Sequence, residues 1–367
     1  MSNSVEDHLV NLTAARTLLD DAETYRRIDL QSMGPVIAQL DEQILDAWQA
    51  GMVWPIPDHF QTPDRVIIAG MGGSAIGGDI AATIARLNST VPVQVIRDYN
   101  LPPTTPTTLI IANSLSGNTE ETLSAFEQAR SNPGMRMTIS TGGTLATLDE
   151  PHLTFNWPHP ARTGIGWNLF PLLAVLHRLN VVDIDPSAPQ TTSVALRTLA
   201  TAWGPDAPTE DNLAKQLALE IRNRLPVIVG VGFLEVIARR WAGQIQENAK
   251  QWAFWTSLPE MNHNLLNGIA RPAAGIRQLQ VIFLDAELAH IRNQKRVTLT
   301  IDELNTVNIA SHRIVSPGSS PLETIMRACY LGDWVSYYLA MLNQTDPTDT
   351  TIIEQFKKRM KKPAAGE

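Results

Sequence analysis

Gly70-Met71-Gly72-Gly73-Ser74-Ala75-Ile76-Gly77-Gly78-Asp79 is the stretch on which the reading of this chain turns. The run Val66-Ile67-Ile68-Ala69 before it has the length and β-branching of a buried strand, and an Ala-rich run of helical composition follows. A strand that passes through a glycine-rich turn into a helix gathers backbone N–H groups and the positive end of the helix dipole at one point, where an anion is stabilised. Three readings of the turn stand side by side. Gly70-x-Gly72-x-x-Ala75 fits the G-x-G-x-x-A form of the dinucleotide fingerprint, with Asp98 after the next strand as the ribose-binding acid. Ser74 and the later Gly77-Gly78 fit contacts to a smaller phosphate. The third is a tight turn that needs glycine for backbone shape alone.

Working outward, short apolar runs alternate with helical segments from Arg65 onward: Val66–Ala69, Val93–Ile96, Leu109–Asn113 and Met135–Ile139. Runs that are continuously apolar belong to strands covered on both faces, so the pattern predicts a doubly wound α/β domain with a mainly parallel sheet. Upstream, Leu9–Trp48 has helical spacing interrupted at Gly34-Pro35, which predicts two N-terminal packing helices. Downstream, a helix over Leu169–Leu179 ends at the proline-broken connector Val181–Pro189, where a domain boundary is expected. After a helical stretch through Leu217–Arg224 the same order resumes. Pro226–Val229 leads into Gly230-Val231-Gly232, a helix follows over Leu234–Lys250, and Gln278–Leu284 and Val307–Val315 read as further strands. Two α/β domains in tandem result. Residues 1–182 are expected to hold the N-terminal helices and the first domain, 183–345 the second, and 346–367 a C-terminal helix and tail. Helices are predicted over Leu322–Leu342 and Thr350–Lys361, with Lys362–Glu367 frayed.

A chain of 367 residues, 44% of them hydrophobic and 18% charged, has the apolar content for cores of this kind. Its net charge of −8 leaves no broad cationic face for a phosphate backbone, so a nucleic-acid partner is not expected. Cys329 is the one cysteine, which excludes an internal disulfide framework and a cysteine-rich zinc site; a packing role in a reducing compartment fits it. Met1–Asp20 carries acids in a helical pattern rather than the cationic start and apolar core of a signal peptide, and no run reaches the ~18–20 apolar residues of a membrane span. A soluble, cytoplasmic protein without a membrane partner is expected.

The third strand ends in Asn113-Ser114-Leu115-Ser116-Gly117-Asn118-Thr119-Glu120-Glu121-Thr122. Capping by Ser116 or Thr119 accounts for one hydroxyl and the first-turn acids, but not for three hydroxyls together. Neutral hydroxyls beside helix N–H groups suit a phosphate monoester. Ligands of open parallel sheets bind beyond the carboxyl ends of the strands, so this turn and the Gly70 turn are expected to line one pocket.

These blocks together resemble the sugar isomerase (SIS) domain, and in particular the bifunctional phosphoglucose/phosphomannose isomerase family. Arg240-Trp241-Ala242-Gly243-Gln244-Ile245-Gln246-Glu247-Asn248-Ala249-Lys250 and Leu258-Pro259-Glu260-Met261-Asn262-His263-Asn264 are similar to that family's Glu-Asn-Ala-Lys and Pro-Glu-x-x-His-Asn blocks. Gly332-Asp333-Trp334 through Tyr338-Leu339-Ala340, and Asp346-Pro347, extend the resemblance, which runs from about Arg65 to Met360. It implies two tandem SIS-type domains, a sugar-phosphate substrate and an aldose–ketose isomerisation in which a base moves a proton between C1 and C2 while a donor stabilises the enediolate. By the resemblance Gly72, Gly73, Ser74, Ser114, Ser116 and Thr119 hold the substrate, Glu247 is the base, His263 and Lys357 assist ring opening, and Arg162 stabilises the enediolate. Ala161 stands where that family's proline is expected before the arginine, and Leu115 replaces its usual tyrosine. The histidine comes from the neighbouring subunit in the family, which implies a homodimer with shared active sites.

The chemistry so implied needs no cofactor and no metal. Glu260-x-x-His263 alone supplies too few ligands for a metal site. Use of both C2 epimers requires rotation about C2–C3, for which Thr348 and Thr350 are small enough to leave room. Trp241, Trp252 and Trp255 are read as core or interface residues rather than sugar platforms. Two other classes remain in view, a non-catalytic sugar-phosphate sensor and a dinucleotide-dependent oxidoreductase.

Overall fold

The structure is a computed structural model that describes residues 12–360. Four helices open it: α1 (residues 12–20), α2 (Ala22–Ile28), α3 (Met33–Ala38) and α4 (Leu40–Val53). They replace the two expected over 9–48, of which residues 9–11 lie outside the described chain. The break does not fall at Gly34-Pro35, because Pro35 sits in the first turn of α3, where no backbone N–H is needed. Carboxylate caps divide the segment instead. Asp21 accepts from the N–H groups of Glu23 and Thr24 at the start of α2, and Asp29 from those of Met33 and Gly34.

The first sheet then forms from β1 (Arg65–Ala69), β2 (Val93–Ile96), β3 (Thr108–Asn113), β4 (Met135–Ser140) and β5 (His152–Thr154), all parallel in the order β2-β1-β3-β4-β5. Its helices are α5 (Gly72–Asn88), α6 (Glu120–Arg130) and α7 (Ile165–Arg178). The four expected strands are present to within a residue at each end. β5 went unpredicted because three residues, His-Leu-Thr, carry no period.

Two helices, α8 (Ala188–Trp203) and α9 (Leu213–Ile221), lead to β6 (Leu225–Val231), α10 (Glu235–Ala249), β7 (Phe254–Leu258), the single turn α11 (Ala273–Ile276), β8 (Leu279–Ala286), α12 (Ile291–Thr306) and β9 (Ala310–Ser316). The second sheet is parallel in the order β7-β6-β8-β9. Counted from each sheet's own first strand, this repeats the order of the first four strands of the first sheet. β7 was missed because its aromatic and hydroxyl residues read as packing groups. The last strand starts at Ala310 rather than at Val307, since Val307 closes α12 and Asn308 turns the chain with φ of 58°.

Helix α13 (Pro321–Leu342) is buried on nearly all sides and packs on α8, α9 and α10, as an all-round apolar helix must. Gly332 is required there: a Cβ on it would stand 2.2 Å from the Trp241 indole nitrogen. Cys329 and Trp241 are both core residues. Trp252 and Trp255 are not. Trp252 is 75% exposed, and Trp255 lies exposed under the Arg239 guanidinium, 4.6 Å from it. Helix α14 (Thr351–Met360) ends the described chain, exposed along its whole length. Among the described residues no helix is long and apolar enough to cross a membrane.

One surface pair ties α9 to the second sheet. His312 on β9 stands 3.2 Å from the carboxylate of Glu220, and that hydrogen bond raises the imidazole above its ordinary 6.5 against the opposing pull of burial. A raised folded value gives stability that is fully present below the unfolded value and is lost as pH climbs through the folded one. His312→Gln is therefore expected to lower the thermal midpoint at pH 6, by the ~0.2–1 kcal/mol of an exposed pair, and to have little effect at pH 8.5. Equal losses at both pH values refute the pairing.

Candidate active site

The order β2-β1-β3 places the topological switch point of the first sheet between β1 and β3, and the two turns singled out by sequence leave those two strands. The glycine turn enters α5 at Gly72, whose φ of +51° suits glycine and whose Cβ direction faces open space. No side chain caps α5, and while the N–H groups of Ser74 and Ala75 reach the Met71 carbonyl, those of Gly72 and Gly73 have no side-chain acceptor among the described residues. The order is not the 3-2-1-4-5-6 arrangement of the dinucleotide fold. Asp98 is exposed and accepts from the N–H of Tyr99 at 2.6 Å.

Ser74 is 6% exposed, and its hydroxyl donates to Asn168 Oδ1 at 2.7 Å while accepting from the Leu115 N–H at 3.2 Å. It joins the two turns rather than facing the open side. Asn113 at the end of β3 strengthens the same seam through bonds to the carbonyls of Ser74 and Asn168. The hydroxyls of Ser114 and Thr119 meet at 2.9 Å, whereas Ser116 is exposed, its oxygen accepting from the Asn118 N–H. Leu115 is buried, with its tip against Gly164.

A third turn, Ser140-Thr141-Gly142-Gly143-Thr144 after β4, completes this wall and was missed. Thr141 donates to the Leu115 carbonyl at 2.8 Å, and Thr144 to Asn118 Oδ1 at 3.0 Å. Its signal was present, since paired glycines among hydroxyls directly follow a strand run. Gly117, at φ +67°, touches it so closely that a Cβ would fall 1.9 Å from the Gly142 carbonyl oxygen.

Across from the glycine turn, the helical turn Ala161–Thr163 brings Arg162 in. An added Cβ on Gly73 would lie 3.5 Å from the Ala161 carbonyl oxygen and 3.8 Å from Arg162 Cα. Arg162 is 8% exposed and is no surface arginine. Its Nε donates to Asn248 Oδ1 at 2.7 Å, its Nη2 to the Pro347 carbonyl, and Nε stands 3.7 Å from Glu247 Oε2. Nη1 has no hydrogen-bond partner among the described residues. Burial pulls the guanidinium below its ordinary value, against Glu247, Asp346 and Asp349, yet an arginine stays charged.

Glu247 is in the last turn of α10, its side chain 38% exposed. Lys250, in the left-handed conformation just past that helix, does not pair with its carboxylate. Lys250 Nζ instead donates to the carbonyls of Glu247, Asn248 and Asp346, at 2.9, 3.3 and 2.5 Å. Burial lowers the ammonium, and the nearby Arg162 lowers it further, while Asp349, Asp346 and Glu247 oppose them. Beside Glu247 opens a cavity of about 540 Å³ whose walls include Gln246, Trp252, Phe254, Thr350 and Ile353. Thr350 therefore faces the open side. Thr348 is buried in its own turn, bonded to Asp346.

Two predicted residues lie apart from this cluster. His263 is exposed in the helical turn after β7 and has no hydrogen-bond partner among the described residues. Lys357 is exposed on α14, whose first residues alone line the cavity. Behind the site a buried layer also escaped the sequence reading. Arg240 Nη2 bridges both carboxylate oxygens of Asp333, at 2.8 and 2.9 Å, and the Arg162 carbonyl at 3.2 Å. Burial opposes both charges, but this geometry supports the ion pair, and Asp333 holds Arg240 above its ordinary value. Among the described residues no three His, Cys, Asp or Glu groups gather as a metal site would require.

Residues 210–360 match the model of the bacterial phospho-glucose isomerase C-terminal SIS domain. A bifunctional phosphoglucose/phosphomannose isomerase of Caldicellulosiruptor bescii is 37% identical over 331 residues, 88% of this chain and 97% of that protein. The chain belongs to the bifunctional phosphoglucose/phosphomannose isomerase family. A second member, from Thermoplasma volcanium, is 34% identical over 81% of this chain and 91% of its own. A glucose-6-phosphate isomerase like protein from Thermus thermophilus superposes with a TM-score of 0.63 at 18% identity, over 93% of this chain and 98% of that one. Likeness at that identity speaks for fold. The two parallel sheets with their helices are two tandem SIS-type domains.

The wall of turns gives a direct test of the cradle. Gly117→Ala must open the contact with Gly142 or strain the left-handed backbone, at a cost of ~1–3 kcal/mol. It is expected to lower the thermal midpoint by several degrees and to reduce the protection given by inorganic phosphate. Gly243→Ala, whose Cβ meets nothing within 4 Å, serves as control. Unchanged phosphate protection in Gly117→Ala would show that the wall does not hold the anion.

Proposed function

We propose that this chain interconverts glucose 6-phosphate and mannose 6-phosphate with fructose 6-phosphate through an enediolate. The observation that carries the reading is the apposition of a buried guanidinium and a half-exposed carboxylate, 3.7 Å apart, beside an uncapped glycine turn at a sheet switch point. The phosphate takes the N–H groups of Gly72 and Gly73 and the hydroxyls of Ser116 and Thr119. Ser114 supports Thr119, and Ser74 holds the two turns in register. Glu247 takes the proton from one of C1 and C2 and returns it to the other, and Arg162 Nη1 meets the oxygen on which negative charge develops. No redox partner enters, because the hydrogen removed is the hydrogen restored.

His263 and Lys357 act at ring opening in this reading. The exposure of His263, away from Glu247 of its own chain, supports its delivery to the site of a second copy, and hence a homodimer with shared active sites. Lys357 reaches the cavity by way of α14, whose first turn already borders it. Thr350, on the cavity wall, leaves room for rotation about C2–C3. The division at 182 and 183, with a separate C-terminal element from 346, and a cytoplasmic setting belong to the same proposal.

The reaction is followed by coupled detection of fructose 6-phosphate from each aldose and, in reverse, of both aldoses. Glu247→Gln should cut turnover about 10³-fold while sparing sugar-phosphate affinity; equal loss of affinity would make Glu247 a scaffold residue. Sugar-phosphate binding without turnover in the wild type would leave a sensor in place of an enzyme. Shared sites make a second prediction. Mixing refolded Glu247→Gln with His263→Ala should restore about a quarter of wild-type turnover, since half the dimers are mixed and each has one intact site of two. No recovery in verified mixed dimers would place both residues in one subunit's site.

A further inference from the structure

The 3.7 Å between Arg162 Nε and Glu247 Oε2 is longer than the ~2.7–2.9 Å of a charge-assisted hydrogen bond. Arg162 is buried, whereas Glu247 borders the cavity with its side chain 38% exposed. The Nε–H is already taken by another acceptor. Asn248 Oδ1, 2.7 Å away, receives the Nε–H of Arg162.

The orientation of that amide follows from its neighbours. Asn248 is 1% exposed, and its Nδ2 donates to Ser336 Oγ at 2.9 Å. The single hydroxyl hydrogen of Ser336 is already donated to the Asp333 carbonyl at 2.9 Å, so Oγ faces Asn248 as an acceptor. Arginine offers only donors. The amide therefore must turn its NH2 to Ser336 and its oxygen to Arg162, and no flipped state satisfies both sides. The other end of Arg162 is fixed too, because Arg240, anchored on Asp333, donates to its carbonyl.

We propose that Asn248 is a positioning residue that acts as a neutral spacer, occupying Arg162 Nε so that the guanidinium does not close onto Glu247 as a direct ion pair. A carboxylate bonded straight to a guanidinium is a weaker base and has a lone pair engaged. Held off, Glu247 keeps that lone pair for the substrate hydrogen, while Nη1 of Arg162 stays directed to the ligand. A hydrocarbon at position 248 would leave Nε buried and unpaired, with Glu247 Oε2 as the acceptor within reach. The other charged groups facing the pair are Lys250 at the end of α10, bound to three carbonyls, and Asp346 and Asp349 from the segment before α14. The buried Arg240–Asp333 pair lies behind Arg162 and reaches it through the backbone carbonyl alone. The kinetic part of this proposal rests on Glu247 as base and Arg162 as enediolate donor.

Two substitutions in the full chain test it. Asn248→Ala should bring Nε and Oε2 to about 2.8 Å in a crystal structure. It should lower kcat about tenfold or more with KM little changed, and move the acid limb of kcat/KM to lower pH by about one unit. Asn248→Asp keeps the acceptor and adds a negative charge, so the spacing should persist and the acid limb should move to higher pH. A merely structural asparagine predicts no opposed shifts. An unchanged 3.7 Å separation in Asn248→Ala, or shifts of the same sign in both variants, overturns the spacer. If Asn248→Ala does not fold, the absence of an upward shift in Asn248→Asp overturns it alone. The distance readout is independent of turnover, so retained activity in Glu247→Gln would remove the base assignment without deciding the spacing.

Discussion

A cation buried between the two halves of the chain must be met by acceptors on several sides, and Arg162 is that cation. Its Nε goes to Asn248, its Nη2 to Pro347 and its backbone carbonyl to Arg240. Those three partners come from the end of α10, the segment beyond α13 and the middle of α10, so one residue of the first half organises three places in the second. Removing an acceptor from a buried charged donor of this sort costs ~1–3 kcal/mol or more, because the group left behind has no water to turn to. The arrangement of the two halves at the cleft is thereby tied to the placement of one guanidinium. Lys250 extends the same constraint, since it binds the carbonyls that end α10 and the carbonyl of Asp346, holding the turn from which α14 departs.

The halves share a strand order but divide the work unequally. The first switch point gathers glycines, hydroxyls and an uncapped helix start. The corresponding place in the second sheet, after β6 and β8, has Asp285 fully buried and bonded to Arg313 at 2.6 Å. A carboxylate there opposes an anion rather than receiving one. The second half instead contributes the far end of its first long helix, α10, where Glu247 stands near the negative pole of the dipole. In the proposed reaction the phosphate is anchored at the positive pole of α5, which favours an anion, and the base stands at the far end of α10.

Much of this was legible in the sequence, for identifiable reasons. Parallel strands buried on both faces are largely apolar runs, so β1, β3, β6 and β8 stood out, and the edge strand β2 and the mixed run of β4 were found by their place in the alternation with helices. The glycine turn and the hydroxyl turn were legible because each directly follows such a run. Illegible were features that depend on distant partners. Gly34-Pro35 looks like a break unless Asp29 is known to cap the helix it starts. Ser74 has the chemistry of a phosphate ligand, but only the approach of Asn168, 94 residues on, reveals where its hydroxyl points. Asn248 stood in the quoted block beside Glu247 without a role. Its role is set by Ser336, 88 residues further along, through a single hydrogen bond.

That last case shows how a polar core can serve chemistry as well as stability. A buried amide has a donor end and an acceptor end, and it transmits the identity of what lies behind it to what lies in front. The backbone carbonyl of Asp333 can only accept, so it takes the Ser336 proton; Ser336 can then only accept from Asn248; Asn248 can then only accept from Arg162. Reversing any member would leave two donors or two acceptors facing each other in a space without water, at a cost of ~1–3 kcal/mol. Directionality propagates from a backbone carbonyl inside α13 to the Arg162 guanidinium, whose Nε is thereby assigned its acceptor by residues buried behind it.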